Sequence, residues 1–186
     1  MKLYVIRHGE SQTNKNQCWT GWLDAPLTDK GISDAEGARA ILADVKFDKV
    51  YSSDLARARR TAEVALGISE YETTPLLREI NVGSLAGKPL SALDAELRKI
   101  TSKGYAAIGG EDYSQLRERV SAFMKSIEGC EYENVAAFSH AGWLRSALSV
   151  VLDVSVPSKN FLCNNCTVAI FEYKNSVWRL HSWINK

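Results

Sequence analysis

Short apolar runs alternate with helix-patterned segments along this chain, and that alternation limits the fold more than any single motif. Residues 3–6 form a brief apolar, partly β-branched run that reads as a buried strand. Behind Thr28, a candidate cap, Ile32, Ala35, Ala38, Ile41, Leu42 and Val45 recur at helical spacing. Lys49–Ser52 reads as a second strand. Ser53 is placed to cap the next helix, where Leu55, Ala58, Ala62 and Ala65 mark the buried face and Gly67 stops it. Residues 111–127 predict an amphipathic helix on Leu116, Val120, Phe123 and Ile127. Asn134–Ser139 reads as a third strand and residues 143–152 as a helix packed on the sheet. Residues 167–173 and Val177–Ile184, joined by Lys-Asn-Ser, read as a terminal hairpin. Residues 68–110 are the least regular, with a helix expected over about 91–100. Residues 8–27 read as one long loop, a length that usually means function. The pattern predicts βαβ units: a three-layer α/β/α sandwich with a mostly parallel central sheet, in one domain over residues 1–186.

Composition removes several classes. With 186 residues the chain buries roughly 70% of its unfolded surface and needs no disulfide or metal staple. Lys plus Arg is 23 and Asp plus Glu is 22, too even for a general nucleic-acid or membrane-surface binder. No stretch approaches the ~20 apolar residues of a membrane span, and the apolar run at residues 3–6 is too short for a signal peptide. A cytoplasmic protein is expected. Cys163 and Cys166 enclose two asparagines, but no second Cys or His pair answers them, so reduced thiols are expected rather than zinc.

In sheets of this kind ligands bind beyond the carboxyl ends of the strands. Those positions hold Arg7-His8-Gly9-Glu10, Ser52-Ser53-Asp54 leading to Arg57, and Ser139-His140-Ala141-Gly142. If the three strands are neighbours, two imidazoles and two guanidiniums converge on one pocket. Guanidiniums bind phosphate oxygens with bidentate, charge-assisted bonds, and the backbone N–H groups of Ala141 and Gly142 at a helix start can add anion binding. The arrangement suits a phosphoryl dianion. Arg60 shares a helix with Arg57, and Glu10 is a rival carboxylate; both rank behind.

Leu3-Tyr-Val-Ile-Arg-His-Gly-Glu-Ser11, followed by Asn14, resembles the signature of the histidine phosphatase superfamily, the phosphoglycerate mutase-like proteins. Four further blocks follow in that family's order. They are Thr20-Gly-Trp-Leu-Asp24 with Pro26-Leu-Thr28, Tyr51-Ser-Ser-Asp-Leu-Ala-Arg57-Ala, Leu77-Arg-Glu79, and Phe138-Ser-His140-Ala-Gly-Trp-Leu-Arg145. The resemblance implies that His8 is the nucleophile, forming a phosphohistidine. Arg7, Arg57 and His140 would grip the phosphoryl oxygens. Glu79 would protonate the leaving group and then activate water. Asn14, Thr20, Gly21 and Ala141 would lie on the substrate side. No metal is needed for such chemistry.

One departure stands out: Gly83 is followed by Ser84-Leu85-Ala86-Gly87, without the acidic residue the family often carries there. The mutases of the family are longer, with more chain to shield a phosphohistidine from water. The expectation is therefore a metal-independent histidine acid-type phosphatase of small phosphomonoesters, with no cofactor. Its specificity would reside in the variable segment 84–110. The alternatives are a phosphoglycerate mutase that uses a bisphosphoglycerate, and an inactive phosphate-binding module. The expected partner is a small phosphorylated metabolite, not nucleic acid or membrane; a homodimer is compatible with the chain.

Overall fold

The computed structural model describes residues 1–154 and 161–185. Among them are six strands: β1 (Lys2–Arg7), β2 (Lys49–Ser52), β3 (Glu72–Thr73), β4 (Asn134–Ser139), β5 (Val168–Lys174) and β6 (Val177–Ile184). They form one sheet in the order β3-β2-β4-β1-β5-β6. The pairings from β3 to β1 are parallel; those of β5 with β1 and β6 are antiparallel. The terminal hairpin thus extends the parallel sheet on one side. The three strands expected to carry the site are indeed neighbours.

Among the described residues six α-helices accompany the sheet: α1 (Gln12–Lys15), α2 (Asp29–Leu42), α3 (Ala56–Leu66), α4 (Ala95–Ile100), α5 (Tyr113–Ile127) and α6 (Ala141–Leu152). Successive side chains of a strand face opposite ways, so β1 feeds two cores. Leu3 and Val5 join Phe123, Trp143 and Leu144 under α5 and α6. Tyr4 and Ile6 join Ala35, Ala38, Ala58 and Ala62 under α2 and α3. Both faces are covered, which is the sandwich that the alternation predicts. The second core is built largely of alanines, which brings α2 and α3 close to the sheet and to each other.

Several local expectations change. The loop after β1 contains the short α1, set by a reciprocal Ser11–Asn14 capping box. Ser53 is not the cap of α3: that position is Leu55, and its first N–H groups are served from elsewhere. Ser53 Oγ accepts from Leu55 N at 3.3 Å, and Asp24 Oδ1 accepts from Ala56 N at 2.8 Å. The helix expected over 91–100 begins only at Ala95, behind a 3₁₀ turn at Leu90–Ala92, because Asp94 caps it. The helix expected from residue 111 begins at Tyr113, where Asp112 and Gln115 make another capping box. The two-residue β3 carries no periodicity that a sequence could display. Thr28 caps α2 as expected.

Candidate active site

The carboxyl ends of β1, β2 and β4 bring His8, Arg57 and His140 together, all buried. His8 leaves β1 through Gly9, where the chain passes very close to the start of α2. A Cβ on Gly9 would lie 2.2 Å from the Gly31 carbonyl oxygen, so no other residue fits there. Gly9 N donates to Thr61 Oγ1 at 3.0 Å, tying the turn to α3. His8 Nδ1 lies 2.7 Å from the Gly9 carbonyl oxygen. A carbonyl can only accept, so Nδ1 carries the proton and Nε2 keeps its lone pair. Arg57 Nε stands 3.3 Å from that Nε2.

Arg57 lies in the first turn of α3, on the buried face with Ala58, Thr61, Ala62 and Ala65. Its guanidinium also donates to Gly21 O at 2.9 Å and Leu23 O at 3.0 Å. The expected substrate loop is therefore fastened to the same side chain that faces His8. Arg60 is turned outward and pairs with Glu63 at 3.1 Å. The His8 and His140 rings are 5.1 Å apart. Neither His140 nitrogen nor Arg7 Nε has a hydrogen-bond partner among the described residues. Arg7 donates through Nη1 to the Cys163 carbonyl. Leaving a buried polar nitrogen unpaired costs about 1–3 kcal/mol, and an acceptor could satisfy Arg7 Nε and the one N–H of a neutral His140.

Electrostatics follow from burial. Desolvation first, then Arg57 and Arg7, hold His8 well below the ordinary imidazole range, against the opposing bond to Gly9. His140 is depressed in the same direction, by desolvation and then by Arg57 and His8. Desolvation lowers Arg57 to about 10, so it stays charged at neutral pH. Both imidazoles are neutral there, while Arg57 is not.

Glu79 reaches the site from the irregular segment. Its Oε2 accepts from Gly142 N at 3.1 Å and its Oε1 from Ile80 N at 2.8 Å. A Cβ on Gly142 would stand 2.2 Å from Glu79 Oε1, so the glycine leaves room for the carboxylate. The N-terminus of α6, expected to bind substrate through Ala141 and Gly142, thus already gives its Gly142 amide to Glu79. Ala141 opens that helix.

Of the other expected substrate-side residues, Thr20 Oγ1 bonds Thr13 Oγ1 at 2.7 Å. Asn14 Oδ1 accepts from Ser11 N at 3.2 Å and from Asn165 Nδ2 at 3.4 Å. Asn165 Nδ2 also donates to the His8 carbonyl at 3.0 Å. In the sequence Asn165 reads only as filler between two cysteines, yet it links Asn14 to the chain at His8. Glu10 bonds the Thr28 hydroxyl at 2.8 Å rather than an arginine. Trp22 Nε1 donates to Glu79 O at 2.7 Å, and its ring lies under Arg78, whose guanidinium carbon is 4.8 Å from the ring centre. Trp19 packs edge-on against Tyr105. No disulfide joins the cysteines. Among the described residues no group of three or more His, Cys, Asp or Glu side chains could hold a metal, and no helix is long and apolar enough to cross a membrane.

The geometry can be set beside known proteins. Fructose-2,6-bisphosphatase TIGAR B of Danio rerio is 36% identical over 134 residues, covering 67% of this chain and 52% of that one. The chain therefore spans about half the length of that relative. A protein of Escherichia fergusonii named probable phosphoglycerate mutase GpmB is 30% identical over 99% of this chain and 90% of its own. A solved structure of a phosphoserine phosphatase variant from Entamoeba histolytica, in complex with phosphoserine, shares the fold. Its TM-score is 0.86 at 24% identity, covering 98% of this chain and 95% of that one. The family comparison aligns residues 3–186, from β1 through the terminal hairpin, and so takes in every strand end described above. The chain belongs to the histidine phosphatase superfamily, branch 1.

Proposed function

We propose that the chain is a metal-independent histidine acid-type phosphatase that hydrolyses small phosphomonoesters through a phosphohistidine at His8, with no cofactor. The observation that carries this reading is the contact of His8 Nδ1 with the Gly9 carbonyl oxygen, which fixes the tautomer. Nδ1 is committed to the Gly9 carbonyl, which leaves Nε2 with its lone pair, accepting from Arg57 Nε at 3.3 Å. A neutral imidazole with a fixed unprotonated nitrogen is a nucleophile once an incoming phosphoryl group takes the place of the Arg57 contact, and burial among cations keeps it neutral.

In the first step the Nε2 lone pair attacks phosphorus. The ester P–O bond breaks, its electron pair goes to the leaving oxygen, and protonated Glu79 supplies the proton. Arg7, Arg57 and His140 bind the equatorial oxygens, where charge is spread in transfer. In the second step the Glu79 carboxylate takes a proton from water. The water oxygen bonds to phosphorus, and the P–N electron pair returns to Nε2, releasing phosphate. Asn14, Thr20, Gly21 and Ala141 border the part of the substrate beyond the phosphoryl group.

The test is inorganic phosphate release from a panel of phosphomonoesters with EDTA present, wild type beside His8→Ala. Release that survives EDTA and vanishes in the variant supports the reading; release by a folded His8→Ala protein refutes it. Phosphoglycerate mutase is the second reading, favoured by the name of the relative that aligns over nearly the full chain. It predicts exchange between phosphoglycerates faster than hydrolysis, stimulated by a bisphosphoglycerate.

A further inference from the structure

Glu79 sits on no regular element. It follows a 3₁₀ turn at Pro75–Leu77, and the strand before that turn is the two-residue β3. Yet an acid displaced by about 1 Å can lose about 10²-fold in rate. Besides the bonds from Ile80, Gly142 and Trp22, its loop is held from α5. Arg119 Nη1 donates to Leu76 O at 3.1 Å and Arg78 O at 2.7 Å, and Nη2 donates to Glu79 O at 3.1 Å. The same guanidinium binds both Glu111 oxygens, Nε to Oε1 at 3.1 Å and Nη2 to Oε2 at 2.9 Å. Both side chains of the pair are largely buried, at 12% and 14% exposure. Glu111 lies just past the variable segment and is itself joined to the acid's loop. Its Oε2 accepts from Asn81 N at 2.8 Å, and its own N donates to Asn81 O at 2.9 Å.

We propose that Arg119, oriented by Glu111, is the positioning residue for the general acid, and that the pair couples the end of the variable segment to Glu79. The inference rests on the reading of Glu79 as the acid. A planar guanidinium can span three carbonyls and a carboxylate at once; a lysine ammonium keeps the charge but not that fork. Arg119 touches no reacting atom, so it acts only through the proton transfers that Glu79 carries out.

Leaving-group dependence tests this. An alkyl phosphate expels an alkoxide and needs the acid; a nitrophenyl phosphate expels a stable phenolate and does not. Wild type, Arg119→Lys, Glu111→Gln and Glu79→Gln are assayed on both for kcat/KM, which reports transfer to His8 and not the later hydrolysis that both esters share, with thermal unfolding to confirm that each is folded. For Arg119→Lys the expected result is a loss of about 10- to 100-fold in kcat/KM on the alkyl ester, with kcat/KM on the nitrophenyl ester within about twofold of wild type. Glu111→Gln, which keeps the shape and loses the charge, is expected to show the same preference more weakly. Equal losses on both esters, or no loss, in folded variants would overturn the proposal. If Glu79→Gln itself shows no preference, the assignment of the acid fails instead. If Arg119→Lys does not fold, Glu111→Gln alone decides, by the same two outcomes.

Discussion

The phosphate side and the leaving-group side of this site are built by different means. His8 and His140 directly follow the paired strands β1 and β4, whose register fixes their separation, and Arg57 stands in the first turn of the helix after β2. Glu79 stands on a loop, and its place is set by hydrogen bonds from Arg119, Trp22, Ile80 and Gly142. Strand ends are rigid because every ladder bond resists their movement. A loop is rigid only as far as its side-chain partners make it so. The difference teaches that phosphate capture can sit on the scaffold, while the proton donor rests on contacts that a neighbouring segment can vary.

The largest expected effect breaks the scaffold side. His8→Ala removes the nucleophile and should lower phosphate release by about 10⁴-fold or more while circular dichroism stays unchanged. Next is Arg57→Lys, which cannot meet His8, Gly21 O and Leu23 O together. Its loss should be about 10²- to 10³-fold and equal for alkyl and nitrophenyl esters, in contrast to the ester preference expected of Arg119→Lys. A preference in the Arg57 variant would blur the division between the two sides.

A pH series sharpens it further. His8 and His140 are depressed in the folded state, so their contribution to stability is complete above the ordinary imidazole value of ~6.5. As pH falls below that, the unfolded chain takes up protons that the folded site does not, and stability declines until the folded histidines titrate. Urea midpoints should therefore fall between about pH 7 and 5, and the fall should be shallower in His8→Ala. A slope unchanged in that variant would show that burial does not hold His8 neutral. The smallest effect lies outside the site: Thr28→Ala removes the cap on Gly31 N and should cost about 1 kcal/mol of stability with little change in turnover.

The same division explains what a sequence reader can see. The strands β1, β2 and β4 announce themselves by apolar runs, and the residues just past them are local in sequence, so His8, Arg57 and His140 are legible from the sequence. The bonds that place Glu79 are not. Gly142 is 63 residues from it, and Arg119 is 41 residues from the Arg78 carbonyl it holds. Arg119 lies on an amphipathic helix, where an arginine reads as a wet-face charge. Glu111, which reads as the helix start, is instead its buried partner. Ser53 misleads for a related reason: a serine at a strand end suits a cap, but Asp24, 32 residues away, supplies the bond to Ala56 N. Hydrophobic period reveals elements; it carries no information on long-range polar pairing.

The central claim is that His8 carries the phosphoryl group and Glu79 handles the proton. Rapid-quench trapping with a ³²P-labelled nitrophenyl phosphate tests it most directly, using wild type, His8→Ala and Glu79→Gln. The account predicts an acid-labile, base-stable phosphoenzyme that accumulates in Glu79→Gln, because water is no longer activated, and that is missing in His8→Ala. Label retained by folded His8→Ala, or no label in any folded protein that still releases phosphate, would contradict it.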